Sequence, residues 1–204
     1  MSTAGQRGVS LIELMVALAI LAILTVLGIP SFQQWTLNTR IRTVSESIQN
    51  GLRLARNEAA QRANDVRFQL TSASSWQVCV LPASAASAAA ATDCSTATST
   101  VQTWNSPSSA SNVQASVSTA VSSVAAGQFG TSTISGGLPA GITFDALGRP
   151  TSYGSNSILR IDVTAAQTSL QSTSRRLVTL ISAGGMVSMC DPALTFSSNP
   201  MGCP

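Results

Sequence analysis

Histidine and lysine are both missing from the 204 residues, and charged side chains of any kind make up only 9% of the chain. Without them, the usual bases that activate a serine or cysteine nucleophile are absent. The eight carboxylates, Glu13, Glu46, Glu58, Asp65, Asp93, Asp145, Asp162 and Asp191, are scattered, with no acid–base pair spacing. An enzyme is therefore disfavoured, and no catalytic, cofactor-binding or metal-binding residue is assigned. The Gly-Gly pairs at 136–137 and 184–185 lack the lysine and helix context of a phosphate loop. All the positive charge is arginine, and a net +3 is far from the dense basic stripe of a dedicated nucleic-acid binder.

Cysteine is scarce but even in number: Cys79, Cys94, Cys190 and Cys203. Wide spacings and no histidine argue against zinc, and disulfides in an oxidising compartment fit better. Three connectivities are possible. The two local closures, Cys79–Cys94 and Cys190–Cys203, are favoured because closing a short loop costs the least entropy.

What is abundant is apolar sequence near the start. From Val9 to Ile29 the chain is almost wholly aliphatic, and as a helix it spans about 30 Å, the hydrocarbon thickness of a bilayer. No Ala-x-Ala cleavage pattern follows it, as a secretory signal would require. Arg7 ahead of the run predicts a cytoplasmic N-terminus. Glu13 is out of place, since a carboxylate deep in a membrane helix costs roughly 2.5–3.5 kcal/mol and calls for a partner, the alternative being a place near the interface from which it snorkels to water.

After Pro30 the pattern becomes one-sided. Leu37, Ile41, Val44, Ile48, Leu52, Ala55, Ala59 and Ala63 recur at steps of three and four, the period of a buried helical stripe. Gly51 falls inside it at a cost of about 1 kcal/mol and is expected to permit a slight bend. The helix thus reads as one stalk from Val9 to about Asn64, with arginines 53, 56 and 62 on a solvated face.

Strand signals follow in short alternating runs: Val66, Phe68 and Leu70, then Trp76, Val78 and Val80. Residues 82–100 are nearly all Ala, Ser and Thr and too poor in large apolar groups to form a core. Weaker strand signals lie at Val101–Trp104 and Val113–Val121, with a turn cluster at Gly136–Gly141 and a strand at Ile142–Phe144. Leu159, Ile161 and Val163 alternate with Arg160, Asp162 and Thr164, which predicts a clear strand, with Arg160 read as a strand-edge, solvated arginine. Leu177–Ser182 and Met186–Met189 around Ala183-Gly184-Gly185 predict a hairpin. Asp191-Pro192 reads as a turn, and Cys190 to Cys203 as an irregular stapled tail. The class is α+β: one long N-terminal helix on an antiparallel sheet, disulfide-stapled.

The string Gly8-Val9-Ser10-Leu11-Ile12-Glu13-Leu14-Met15 resembles the class III leader of type IV pilins and type II secretion pseudopilins. The resemblance implies cleavage between Gly8 and Val9 by a prepilin peptidase, N-methylation of Val9, and a fifth-position glutamate, Glu13, that sets the register of assembly. Val9 departs from the phenylalanine usual in the family at that place. Pro30 coincides with the family's helix-kinking proline. The segment Leu52-Arg53-Leu54-Ala55-Arg56-Asn57-Glu58-Ala59, running into Val66-Arg67-Phe68, is similar to the GspH/FimT branch of minor pilins and pseudopilins.

On this resemblance the domains are a cleaved leader at 1–8, a membrane and assembly half-helix at 9–30, an amphipathic half-helix at 31–65, and a periplasmic β-rich domain at 66–204. The implied partners are a prepilin peptidase, other pilins or pseudopilins of the same filament, an inner-membrane assembly platform and the inner membrane itself. The implied localisation is single-pass in the bacterial inner membrane with a periplasmic domain, then the pilus or pseudopilus. FimT-like pilins that take up DNA carry Gly-Arg-x-Arg before a C-terminal cysteine. Here that place reads Gly185-Met186-Val187-Ser188-Met189-Cys190, with both arginines missing. Arg149, Arg160, Arg175 and Arg176 remain as a candidate phosphate-contacting patch, and nucleic acid is the disfavoured partner.

Overall fold

The computed structural model describes residues 10–82, 93–107, 112–118, 132–133, 141–153 and 157–204. The leader with Gly8 and Val9, most of the Ala/Ser-rich stretch, Val121 and most of the Gly136–Gly141 cluster lie outside these residues. The chain divides into two compact units, Met1–Thr36 and Leu37–Pro204. Helix α1, Leu11–Arg62, contributes to both.

In the second unit the apolar stripe of α1 is buried as its spacing predicts. Leu37, Ile41, Val44, Ile48, Leu52, Ala55 and Ala59 join one core with residues of the strands. Burying each Leu, Ile or Val side chain contributes about 1.5–3 kcal/mol, so this stripe docks the helix. Ala63 is a correction: it is exposed and lies beyond the helix at φ 48°, the left-handed conformation that ends many helices. The amide of Asn64 then donates to the Ala59 carbonyl at 3.3 Å.

Two sheets form where one was expected. The first contains β1 (Val66–Leu70), β2 (Trp76–Val80), β3 (Ser99–Trp104) and β6 (Gly141–Phe144), in the order β3-β2-β1-β6. The second contains β4 (Val113–Ser118), β5 (Ser132–Thr133), β7 (Arg160–Ala165), β8 (Leu177–Ile181), β9 (Val187–Thr195) and β10 (Gly202–Cys203). Its order is β10-β9-β8-β7-β4-β5, antiparallel except for the β9–β10 edge. A short helix α2, Thr168–Gln171, links β7 to β8. Period-two alternation shows that a segment is a strand but not which sheet it joins, so the split could not be read from it.

Three local expectations are corrected. All six residues of β7 are buried, Arg160 and Asp162 included, so this strand has no solvent face. Second, β9 does not stop at Met189 but runs through Asp191-Pro192 to Thr195. Its pairing with β8 ends at Cys190, and Pro192 lies beyond, where no amide is needed for that ladder. Third, the tail is not wholly irregular, because β10 returns beside β9 and the Asp191 amide donates to the Met201 carbonyl at 2.7 Å. Disulfides join Cys79 to Cys94, with Cα atoms 5.8 Å apart, and Cys190 to Cys203, with Cα atoms 5.0 Å apart.

Gly51 has a packing role that its sequence position does not reveal. A Cβ there would fall 2.8 Å from the Phe68 ring and 2.9 Å from the Trp76 ring. These two rings lie 5.7 Å apart, Trp76 stacks on Trp104 at 6.3 Å, and the Trp76 indole donates to the Ser47 hydroxyl of α1 at 3.3 Å. The glycine lets an aromatic stack approach the helix backbone.

Two stability predictions follow from this packing and from one carboxyl. Gly51→Ala gains about 1 kcal/mol of helix propensity but overpacks a filled site by about 1–3 kcal/mol. The expected net result is a lower Tm by circular dichroism of the chain in detergent, and a higher Tm would show that the rings yield. At the end of the α1–β1 turn, burial and then the nearby Asp145 raise the pKa of Asp65. A raised carboxyl binds its proton more tightly when folded, so it weakens the fold as pH rises through that value. Asp65→Asn should therefore raise Tm at pH 7 and leave it unchanged at pH 3. An equal effect at both pH values would contradict the electrostatic cause.

Candidate functional site

Two groups of residues were singled out for function, the apolar start of α1 and the arginines. The first unit places Leu11 through Thr36 in α1, with Glu13 in its first turn. An acidic group there is favoured by the helix dipole. The Leu14 amide donates to the Ser10 carbonyl at 3.1 Å, so helical bonding begins at the first described residue. Thr25 is the only hydroxyl between Leu11 and Ile29, and it donates a hydrogen bond to the Ala22 carbonyl at 2.8 Å. The segment therefore presents almost no polar side chain besides Glu13.

Among the described residues, the large apolar side chains of this segment are all exposed. Leu11 is 77% exposed, and Leu14, Val16, Leu18, Ile20, Leu21, Ile23, Leu24 and Val26 are also exposed. The most apolar 18-residue window of α1 has a mean hydropathy of 2.7, and α1 is long and apolar enough to cross a membrane. Isolated exposed leucines are ordinary, but a helix that is apolar on every side needs lipid or other helices around it. The helix continues through Pro30, although proline cannot donate the bond that residue 30 would normally make.

Of the four arginines named as a candidate phosphate-contacting patch, Arg160 and Arg176 are buried, and Arg149 and Arg175 each lie beside a carboxylate. Arg160 and Asp162, two apart on β7, share one face of the second sheet. The Arg160 Nε lies 3.0 Å from each Asp162 carboxylate oxygen and Nη2 lies 2.7 Å from one of them. Side-chain exposure is 3% and 0%, so this pair is sealed in the domain and Arg160 cannot reach a phosphate outside it. Arg176 is buried too. Burial lowers its pKa, while Asp162 and Asp191 favour its charge and Arg160 opposes it. Arg175 is half exposed, and its Nε and Nη2 each lie 3.2 Å from Asp191 Oδ2. Arg149 is exposed in the turn after β6, with Nη2 3.5 Å from Asp145 Oδ2.

Sequence reasoning missed this charge network. The available signal was the Arg-x-Asp spacing of residues 160 and 162, which on a strand puts both side chains on one face. Asp191, read as a turn residue, accepts from the Ala193 amide two residues on at 3.0 Å and in addition receives Arg175. Among the described residues, no group of three or more Cys, Asp or Glu gathers that could hold a metal ion.

Comparison with known proteins adds one sequence match and several structural likenesses. No curated protein sequence matches the chain significantly. A crystal structure of the type IV minor pilin FimU of Pseudomonas aeruginosa (strain PAO1) is similar over 83% of this chain and 99% of that one, at 15% identity and a TM-score of 0.46. A second crystal form of FimU is similar over 80% and 99%, at 14% identity and 0.43. The minor pseudopilin EpsH from the Type 2 Secretion System of Vibrio cholerae is similar over 76% and 99%, at 9% identity and 0.43. The sequence match is at the N-terminal end, in the same segment whose apolar side chains α1 leaves uncovered. There, residues 3–29 carry the prokaryotic N-terminal methylation motif.

Proposed function

We propose that this chain is a structural subunit of a filament built from such helices, a minor pilin of a type IV pilus or a pseudopilin of a type II secretion system. The observation that carries the reading is the methylation motif at residues 3–29 leading into a helix with uncovered apolar sides. In this reading a prepilin peptidase cuts between Gly8 and Val9, Val9 is methylated, and the subunit waits in the inner membrane with its N-terminus cytoplasmic and its domain periplasmic. The assembly platform then moves it into the filament beside other pilins or pseudopilins. Both finer assignments, an H-type pseudopilin and a FimT/FimU-like minor pilin, use the same stalk.

Glu13 has a defined task in this scheme. Among packed helices its carboxylate meets the new amine of Val9 on an adjacent subunit. Breaking such a buried pair by removing one partner costs about 3–5 kcal/mol. The helix can shift along its neighbour only by breaking that pair, which makes it a register device. Pro30 is assigned to a kink in the helix. DNA capture is the weaker reading, because Arg160 and Arg176 are buried and Arg149 and Arg175 each face a carboxylate.

Cleavage and assembly can be tested separately. Co-expressed with a prepilin peptidase, the wild-type chain should lose residues 1–8 by intact mass and Gly8→Ala should keep them. Equal processing of the two would leave a plain membrane-anchored protein as the better account. Glu13→Ala should still be inserted and cleaved, yet enter filaments more than about a hundredfold less often, given the energy of the lost pair. Normal incorporation would remove the register role.

A further inference from the structure

One more feature of the first unit stands apart from the aliphatic surface. Phe32 and Trp35 are 66% and 65% exposed, and their rings tilt at 35° with centroids 6.0 Å apart. Three residues apart on a helix, they share one side. The composition changes where they occur. Leu14 to Ile29 is aliphatic apart from Thr25, whereas Ser31, Gln33, Gln34, Thr36 and Asn38 alternate with the two aromatic residues. The Thr36 hydroxyl is satisfied by the Phe32 carbonyl at 2.8 Å.

Spacing indicates what this pair meets. No charged residue occurs between Glu13 and Arg40. At 1.5 Å per residue, Glu13 and Trp35 are about 33 Å apart along the helix, close to the roughly 30 Å of bilayer hydrocarbon. If one lies at one boundary of the hydrocarbon, the other lies at the opposite boundary. An indole has a large apolar body and a single N–H donor, and it prefers the zone where hydrocarbon gives way to headgroups and water. A neighbouring helix would be served equally well by more leucine, and would give no reason for glutamines beside the rings.

We propose that Phe32 and Trp35 form an interfacial anchor that seats in the phospholipid headgroup zone on the side of the membrane away from Glu13. The inference rests on the membrane-stored subunit described under Proposed function, and it names the lipid contact that sets the depth of the subunit before assembly. It also changes the position expected for Glu13. With Trp35 at one boundary, the carboxylate sits at the other and reaches water, so it needs no partner until the subunit leaves the membrane.

Depth-resolved quenching of Trp35 tests the proposal. The full chain is reconstituted at low density in phosphatidylcholine vesicles containing lipids brominated either near the headgroup or near the chain end. Subtracting the signal of Trp35→Phe removes the contributions of Trp76 and Trp104. The Trp35 component should be quenched about twofold more strongly by the shallow bromines, as for an interfacial ring. Equal or stronger quenching by the deep bromines would overturn the anchor. So would quenching by aqueous acrylamide alone, or protection from every quencher, which would mean that a second copy covers the ring. Peptidase cleavage is scored in the same preparation. A cleaved chain without shallow quenching refutes the anchor alone, and an uncleaved chain with it refutes the pilin reading alone.

Discussion

A helix that is apolar on all sides cannot be left in water. Each uncovered Leu or Ile of α1 forgoes about 1.5–3 kcal/mol that burial would give, and about ten such residues lie between Leu11 and Ile29. That sum exceeds the 5–15 kcal/mol by which a domain is ordinarily stable. The environment of this segment, whether lipid or packed helices, is therefore as much a part of the structure as any strand. The second half of α1 answers a different demand, with one stripe buried in the domain and the remaining faces polar.

How far the sequence disclosed this depended on how strongly each property repeats. The helical stripe from Leu37 to Ala59 was legible because seven apolar side chains recur at one period, and all of them are buried. Ala63 extends the same spacing but lies one residue past Arg62, where the helix ends in a left-handed residue. The strands were mostly legible, their grouping was not. A two-residue period is identical in either sheet, and partners such as Phe68 and Ile142 lie far apart in the chain. Both disulfides follow the local pairing that loop entropy favours.

The candidate sites divide along the same line. The N-terminal motif is contiguous, so eight neighbouring residues were enough to suggest it. Arginines 149, 160, 175 and 176 are informative only once their surroundings are known. Arg160 looks like a solvated strand residue until β7 proves to be buried on both faces. A sealed ion pair of this kind is weak evidence for stability, because desolvation opposes the attraction. Both partners lie on β7, so the pair mutually neutralises two charges that the burial of this strand takes out of water.

Near the end of α1, Arg56 donates to the Gly148 carbonyl at 3.3 Å, across 92 residues of sequence. A Cβ on Gly185, which has a φ of 74°, would fall 2.1 Å from that same oxygen. Three distant parts of the chain therefore converge on one carbonyl. Contacts of such long range form slowly, because loop closure precedes the energy they return. The helix cannot be clasped until the turns around residues 148 and 185 both exist. Until then the stripe on α1 lacks part of its cover, and the incomplete fold is most exposed to misfolding and proteolysis along that helix.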